Sequence, residues 1–195
     1  KPILGINCGG VGFLNELEKD DDIFTAIDKV KSKNYFEERL HRIDIFLNEL
    51  NIGTAFNEVV LHSSRVAKIQ GFEISTDNKL IDSFRGDGLI IATPTGSTSY
   101  SMSVGAPIVY PTMKANLIVP MAAYKLGARP LILPAEYNLS AKITDYPEGV
   151  MVIDGKEEIM IKSDDNIQIK PSKRPASLIR FRDNFFERLR NKLRL

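Results

Sequence analysis

Short runs of alternating apolar and polar residues recur through the middle of this chain, and turn residues or prolines close almost every one. Ile43, Ile45 and Leu47 alternate with Asp44, Phe46 and Asn48, the two-residue period of a half-buried strand. Asn51-Ile52-Gly53 reads as a turn and Ala55 to Leu61 as the next strand. Phe72 and Ile74 alternate with Glu73 and Ser75. After a turn at Asp77-Asn78-Lys79 the pattern resumes from Leu80 to Phe84, which predicts a β-hairpin. Pro107, Pro111, Pro120, Pro130 and Pro134 then cut the chain into short segments, of which Leu117–Val119 and Leu131–Leu133 are apolar enough for buried strands. Further runs lie at Leu139–Ile143, Val150–Ile153, Ile159–Ile161 and Ile167–Ile169. Many short strands separated by turns constrain the chain to a sandwich or a related all-β domain.

The two ends follow another pattern. Pro2 to Asn7 is a short apolar strand that empties into a glycine-rich turn, Cys8 to Gly12, as in α/β domains. Asp20, Asp21 and Asp22 suit the positive end of a helix dipole, and Ile23, Phe24, Ile27 and Val30 follow at helical spacing. At the other end Phe185, Leu189 and Leu193 are spaced i, i+4 and i+8, with Arg188, Arg190, Lys192 and Arg194 around them. Asn184 and Glu187 have capping-box spacing. The expected class is mixed α and β: mainly a sandwich-like all-β domain, with the end of an α/β domain before it and a terminal helix after it.

Composition narrows the function. A net charge of +1 over 195 residues gives no electrostatic case for nucleic acid. One cysteine, Cys8, excludes an internal disulfide and offers no zinc pattern. No apolar run approaches the roughly 20 residues that span a membrane, so a reducing cytoplasm is expected. His41 and His62 stand in no motif relation to a carboxylate or nucleophile, and neither is assigned a catalytic role.

The chemistry concentrates between Arg85 and Tyr100. Asp87 lies between two glycines, Leu89 to Ala92 reads as a buried strand, and the chain then fills with Thr93, Thr95, Ser97, Thr98, Ser99, Ser101 and Ser103 around Pro94 and Gly96. Gly96 would let a ligand approach the backbone, and hydroxyls suit ribose and amide groups as well as phosphate. No lysine follows the glycine, so this is not the phosphate cradle of the P-loop. Asp87 with neutral hydroxyls suits sugar hydroxyls and a carboxamide better than a bare triphosphate. The same residues also read as a turn whose Ser and Thr cap the next helix. Both readings stand on local chemistry.

Arg85-Gly86-Asp87-Gly88, Thr93-Pro94-Thr95-Gly96-Ser97-Thr98-Ser99-Tyr100-Ser101, Gly105 and Pro107 together resemble the central signature of the NAD kinases. Gly5-Ile6-Asn7 with Gly12-Phe13-Leu14, Asn57-Glu58-Val59-Val60, Ala128-Arg129-Pro130-Leu131 and Asp154-Gly155 fall in that family's order. The similarity runs over most of the chain. The family's Gly-Gly-Asp-Gly loop, which carries the aspartate assigned as general base and helps hold the ATP phosphates, belongs before the Gly-Ile-Asn block. It does not occur in this sequence. Gly9-Gly10-Val11-Gly12 has no carboxylate and does not replace it. The catalytic aspartate is therefore expected upstream of Lys1, and no residue here is assigned as catalytic or as a metal ligand. Ser99, Ala106, Tyr124 and Lys156 stand where Ala, Gly, His and Gln are usual.

The resemblance implies phosphoryl transfer from ATP, or polyphosphate, to the 2′-hydroxyl of NAD, giving NADP. Mg²⁺ or another divalent ion would arrive with ATP. Residues 1–33 would be the remnant of an N-terminal α/β domain, 34–172 a β-rich NAD-binding domain, and 173–195 a returning strand and helix that pack on the N-terminal domain. Asn57 and Glu58 would hold a ribose, and Asp87, with Arg85 beside it, the nicotinamide carboxamide or its ribose. Thr95, Thr98, Ser99, Tyr100, Ser101 and Ser103 would line the adenosine side, with the Tyr100 ring stacked on a base. Lys68 and Lys156 match contact positions. In the family the aspartate at Asp87 can reach a neighbouring subunit, so a homo-oligomer (dimer or tetramer) with a shared site is expected. These residues alone are expected to bind NAD weakly and to turn over little. The alternative from another class is a non-catalytic dinucleotide-binding module such as an NAD(P) sensor. A kinase of the related lipid-kinase group would need a more apolar acceptor pocket than Thr93 to Ser103 offers.

Overall fold

The fold comes from a computed structural model that describes residues 1–77, 79–125 and 127–193. The chain divides into two units, Lys1–Leu40 with Ala176–Leu195, and His41–Pro175. The first boundary differs from that expected at 33 because the strand Phe36–Leu40 belongs to the first unit, and the second lies at 175 rather than 172.

In the first unit, β1 (Ile6–Asn7) pairs parallel with β2 (Leu17–Glu18). Helix α1 (Ile23–Lys31) begins at Asp22, whose Oδ1 accepts the Phe24 N–H at 3.0 Å. Strand β3 (Phe36–Leu40) follows. The strand predicted over Pro2–Asn7 is shorter: Ile3 makes only an isolated bridge to Leu178. Helical spacing located α1, but Ile23, Phe24 and Ile27 are exposed and Ala26 is its buried residue.

The second unit holds β4 (Ile43–Leu47), β5 (Leu50–Ala55), β6 (Glu58–Ser63), β7 (Gln70–Thr76), β8 (Lys79–Gly86) and β9 (Gly88–Ala92). A 3-10 turn (Thr95–Thr98) and the short helix α2 (Tyr100–Ser103) come next. Then come β10 (Ala115–Met121), β11 (Leu131–Pro134), β12 (Leu139–Ile143), β13 (Glu148–Ile153), β14 (Glu158–Lys162) and β15 (Ile167–Pro171). One sheet runs β11-β10-β9-β6-β13-β14 and the other β5-β4-β15-β12-β7-β8, with antiparallel neighbours throughout. Val59, Leu61, Ile91 and Met151 from the first sheet meet Ile45, Ile74, Ala141 and Ile169 from the second in one buried core. This is the sandwich that the short runs predicted.

Three local readings change. The turn joining β4 to β5 is Asn48-Glu49, both at positive φ (50° and 70°), and Asn51–Gly53 lies inside β5. The strand predicted over Ala55–Leu61 breaks at Phe56 and Asn57. β11 is an edge strand with Ile132 exposed rather than a buried one. Asn78, in the hairpin turn, lies outside the described residues.

The chain closes in the first unit. Strand β16 (Ala176–Arg180) pairs antiparallel with β3, and α3 (Phe185–Leu193) follows. The predicted capping box does not form: the Asn184 side-chain oxygen has no partner among the described residues, and the Phe185 N–H donates to Asp183 Oδ1 at 3.5 Å. Arg188 is buried, its guanidinium donating to the Asn15 carbonyl at 3.1 Å. Arg194 lies outside the described residues.

One asymmetry of the first sheet positions the site. Its outer face over β9 and β10 is covered, with Ile90, Ala92, Leu117 and Val119 packed against Ala106 and Val109. That cover reaches Val60 of β6 and stops beyond it, and the outward side chains of β6 and β13 face a cleft.

Candidate functional site

Strand β6 alternates. Val59 and Leu61 point into the sandwich core, so Glu58, Val60 and His62 share the outer face. All three line a cleft of about 610 Å³, together with Val150 and Val152 of β13. The register sets Val60 beside Val152 and His62 beside Val150, giving the cleft an apolar floor with a carboxyl at one end and an imidazole at the other.

Asp154 organises the Glu58 end. After β13 the chain turns with Asp154 and Gly155 at φ 49° and 63°, and the Lys156 N–H closes on the Ile153 carbonyl at 3.1 Å. Asp is one of the few residues that adopt this left-handed geometry readily. Its carboxylate accepts the N–H groups of Phe56 (2.7 Å), Asn57 (2.8 Å) and Glu58 (3.1 Å). That three-way bond is why the predicted strand breaks at Phe56 and Asn57: their N–H groups leave the ladder for a side chain.

The glycine- and hydroxyl-rich segment locks onto the same bend. A Cβ on Gly96 would stand 2.2 Å from the Asn57 carbonyl oxygen. Gly96 therefore admits the chain's own backbone rather than a ligand. Thr93 and Thr95 both donate to the Phe56 carbonyl at 2.6 Å. Ser97 donates to the Pro94 carbonyl (2.6 Å) and accepts the Val109 N–H (3.0 Å). Thr98, Ser101 and Ser103 donate to the carbonyls of Thr95, Gly96 and Tyr100. Thr93 also accepts the Gly96 N–H at 3.3 Å, capping the 3-10 turn, whereas Ser99 makes no side-chain cap bond to α2. The segment is a hydroxyl-stapled loop. Ser99 and the half-exposed Tyr100 are the members of it that line the cleft.

Glu58 is 5% exposed. Its Oε1 accepts the Ser99 hydroxyl at 3.1 Å, and its Oε2 is buried with no hydrogen-bond partner among the described residues. Burial, reinforced by the Asp154 charge, pushes the carboxyl up to about 7 against the opposing bonds from Ser99 and the Tyr100 backbone. An unpartnered buried oxygen of this kind calls for an incoming hydrogen-bond donor.

Of the residues singled out in sequence, the cleft therefore gathers Asn57, Glu58, Ser99 and Tyr100. The hydroxyls of Thr95, Thr98, Ser101 and Ser103 are spent on the backbone. Asp87 is exposed outside the lining, with its N–H on the Met121 carbonyl and its own carbonyl taking the Ser63 N–H, both at 3.0 Å. Arg85 pairs with Asp145 at 2.5 Å. Lys68 and Lys156 are exposed and also outside the lining. Asp154, His62 and Glu158 line it and were not predicted. The Asp-Gly turn signal points to the first and the alternation of β6 to the second. Among the described residues no lysine or arginine lines the cleft, and no group of three or more His, Cys, Asp or Glu converges to hold a metal.

The ATP-NAD kinase C-terminal domain family matches residues 56–181. The NAD kinase of Methanosarcina acetivorans is 42% identical over 194 residues, covering 98% of this chain and 70% of that protein. The NAD kinase of Thermoplasma volcanium is 34% identical over 193 residues, covering 98% of this chain and 71% of that protein. A solved NAD kinase from Archaeoglobus fulgidus, in complex with ATP, superposes with a TM-score of 0.84 at 28% identity, over 99% of this chain and 74% of that one. Yeast NADH kinase, complexed with NADH, shares the fold with a TM-score of 0.90 at 23% identity, over 100% of this chain and 60% of that one. This chain belongs to the NAD kinase family.

Proposed function

We propose that this chain carries the NAD-binding part of an NAD kinase, which transfers a phosphoryl group from ATP or polyphosphate to the 2′-hydroxyl of NAD. Family membership supports the reaction class. The observation that carries the site is Glu58 Oε2, a buried acceptor without a partner at one end of a cleft lined by no cation among the described residues. Such a cleft takes the hydroxyls and ring of a nucleoside, with the charged phosphates left outside it. Glu58 and Asn57 bind ribose hydroxyls, Ser99 fixes the Glu58 carboxyl, and Tyr100 offers a ring face to the base.

Phosphoryl transfer depends on positioning and charge neutralisation more than on covalent chemistry, and positioning the acceptor is the part assigned to these residues. A divalent ion is assigned to the phosphoryl donor. Asp87 and Arg85, which lie outside their own cleft, are assigned to the nicotinamide end of NAD bound by a second copy in a homo-oligomer. The sequence contains no Gly-Gly-Asp-Gly loop, so the 195 residues by themselves bind NAD and form little NADP.

Calorimetric titration with NAD tests the site. Binding that weakens roughly three- to tenfold in Glu58→Ala, the loss of about one net hydrogen bond, fits the assignment. Absence of NAD binding at millimolar concentration would sink it. NADP formation by the complete protein separates a kinase from a sensor that uses the same cleft without chemistry.

A further inference from the structure

We propose that His62 is a specificity-determining residue of the cleft: its Nε2 accepts a hydrogen bond from an exocyclic N–H₂ group on an aromatic ring of the bound dinucleotide. The inference rests on the acceptor-site reading above and names what the far end of that site recognises.

Three observations carry it. First, His62 Nδ1 lies 2.9 Å from the Ser63 carbonyl oxygen. A carbonyl only accepts, so Nδ1 holds the proton of the neutral ring and Nε2 presents a bare lone pair. No described residue donates to that nitrogen. Second, the alternation of β6 puts His62 on the same outer face as Glu58, and both line the cleft. Four strand residues advance about 13 Å, far enough apart to touch opposite ends of one nucleoside. Third, the floor between them is Val60, Val150 and Val152, with Val150 directly beside His62. A flat apolar floor favours a ring, and a lone acceptor at its edge favours a ring that carries a donor.

NAD has two such donors, the 6-amino group of adenine and the carboxamide of nicotinamide. Both present an N–H₂ in the ring plane, and the test distinguishes them. Wild type, His62→Ala and His62→Gln are titrated by calorimetry with NAD and with two analogues. One analogue carries hypoxanthine in place of adenine, the other an acetyl group in place of the carboxamide. Wild type is expected to bind one of the analogues roughly three- to tenfold more weakly than NAD, the effect of one neutral hydrogen bond. Which analogue it is identifies the ring. His62→Ala is expected to bind NAD and that analogue equally. His62→Gln, whose side-chain carbonyl can accept, restores part of the difference, which a merely structural role would not.

If wild type binds NAD without discriminating against either analogue, or if His62→Ala keeps the wild-type ratios, the assignment of His62 is overturned while the acceptor site stands. If wild type binds none of the three, the acceptor site itself fails, and His62 with it. Should His62→Ala fail to fold, the wild-type ratios and the Gln variant decide.

Discussion

Asp154 and Glu58 hold each other reciprocally: the Asp154 N–H donates to the Glu58 carbonyl at 3.0 Å, and the Glu58 N–H donates to Asp154 Oδ1 at 3.1 Å. The turn after β13 and the bend before β6 are thereby one structure. The arrangement fixes where the Glu58 carboxyl starts and brings a second negative charge close to it. The same contact shapes the cleft and perturbs its central acid.

Replacing Asp154 should therefore damage both. Asp154→Ala removes the acceptor of three backbone N–H groups and leaves a residue ill suited to φ 49°. A destabilisation of about 2–4 kcal/mol is expected, from lost charge-assisted bonds and orphaned donors. Asp154→Asn tolerates the turn and keeps one acceptor, so it should cost about half as much. Urea unfolding of the two variants checks this, and equal losses would show that the intact carboxylate, not the turn geometry, matters.

Glu58 makes the fold sensitive to pH. A carboxyl whose pKa rises on folding binds its proton more tightly in the native state. Going from 4.5 to about 7, the protonated group supports the fold fully below pH 4.5. That support is withdrawn as pH climbs to about 7. A shift of that size is worth roughly 3 kcal/mol. Wild type should lose stability between pH 5 and pH 8 relative to Glu58→Gln, which cannot ionise. Parallel stability–pH curves for the two proteins would refute the claim.

The sandwich was legible because it depends on a pattern. Alternation marks a half-buried strand whatever its partners, so β4, β7, β8, β12 and β13 could be placed from sequence. Side chains that capture backbone N–H groups leave no periodic trace. The break at Phe56 and Asn57 exists because Asp154, some hundred positions away along the chain, takes those donors. The hydroxyls of Thr95 and Ser101 looked free for a ligand because sequence does not reveal that the carbonyls of Phe56 and Gly96 need donors. Asn57, Glu58, Ser99 and Tyr100 came from family motifs. His62 came from neither motif nor composition, and only the two-residue period of β6 placed it beside Glu58.

Gly96 admits a sharp test. An added Cβ would meet backbone, the Asn57 carbonyl oxygen at 2.2 Å and its carbon at 2.7 Å. Neither atom can swing away as a side chain would. Gly96→Ala should cost about 3 kcal/mol or more, at or above the upper end of ordinary overpacking, and should disturb the cleft through Asn57. Gly9→Ala, with nothing within 4 Å of its Cβ, should stay within about 0.5 kcal/mol of wild type. Thermal melts of the pair decide, and a mild effect at Gly96 would mean the loop shifts freely.

The first unit turns on a buried cation. Arg180, 2% exposed, donates through Nε to Glu38 (2.6 Å) and through Nη1 to the Leu14 carbonyl (2.8 Å) and Glu16 (3.4 Å). Glu16 also accepts the Phe181 N–H at 2.8 Å. Arg188 lies 3.9 Å from the same carboxylate, its pKa lowered by burial and then by the charge of Arg180. Two cations and two carboxylates thus share a space with little water, and removing one cation leaves the balance broken. Arg180→Leu should cost about 3–5 kcal/mol, mostly from carboxylates left buried without compensation. Arg180→Lys keeps the charge but not the fork that reaches Glu38, Glu16 and Leu14 together, and should fall between. Adding Glu38→Gln to Arg180→Leu should recover much of the loss, because Arg188 still offsets Glu16 and the stranded charge is then gone. Hydrogen exchange at β16 and β3 reports on this unit separately from β13. A loss for Arg180→Leu that the added substitution leaves unchanged would show that packing, not charge, holds this unit.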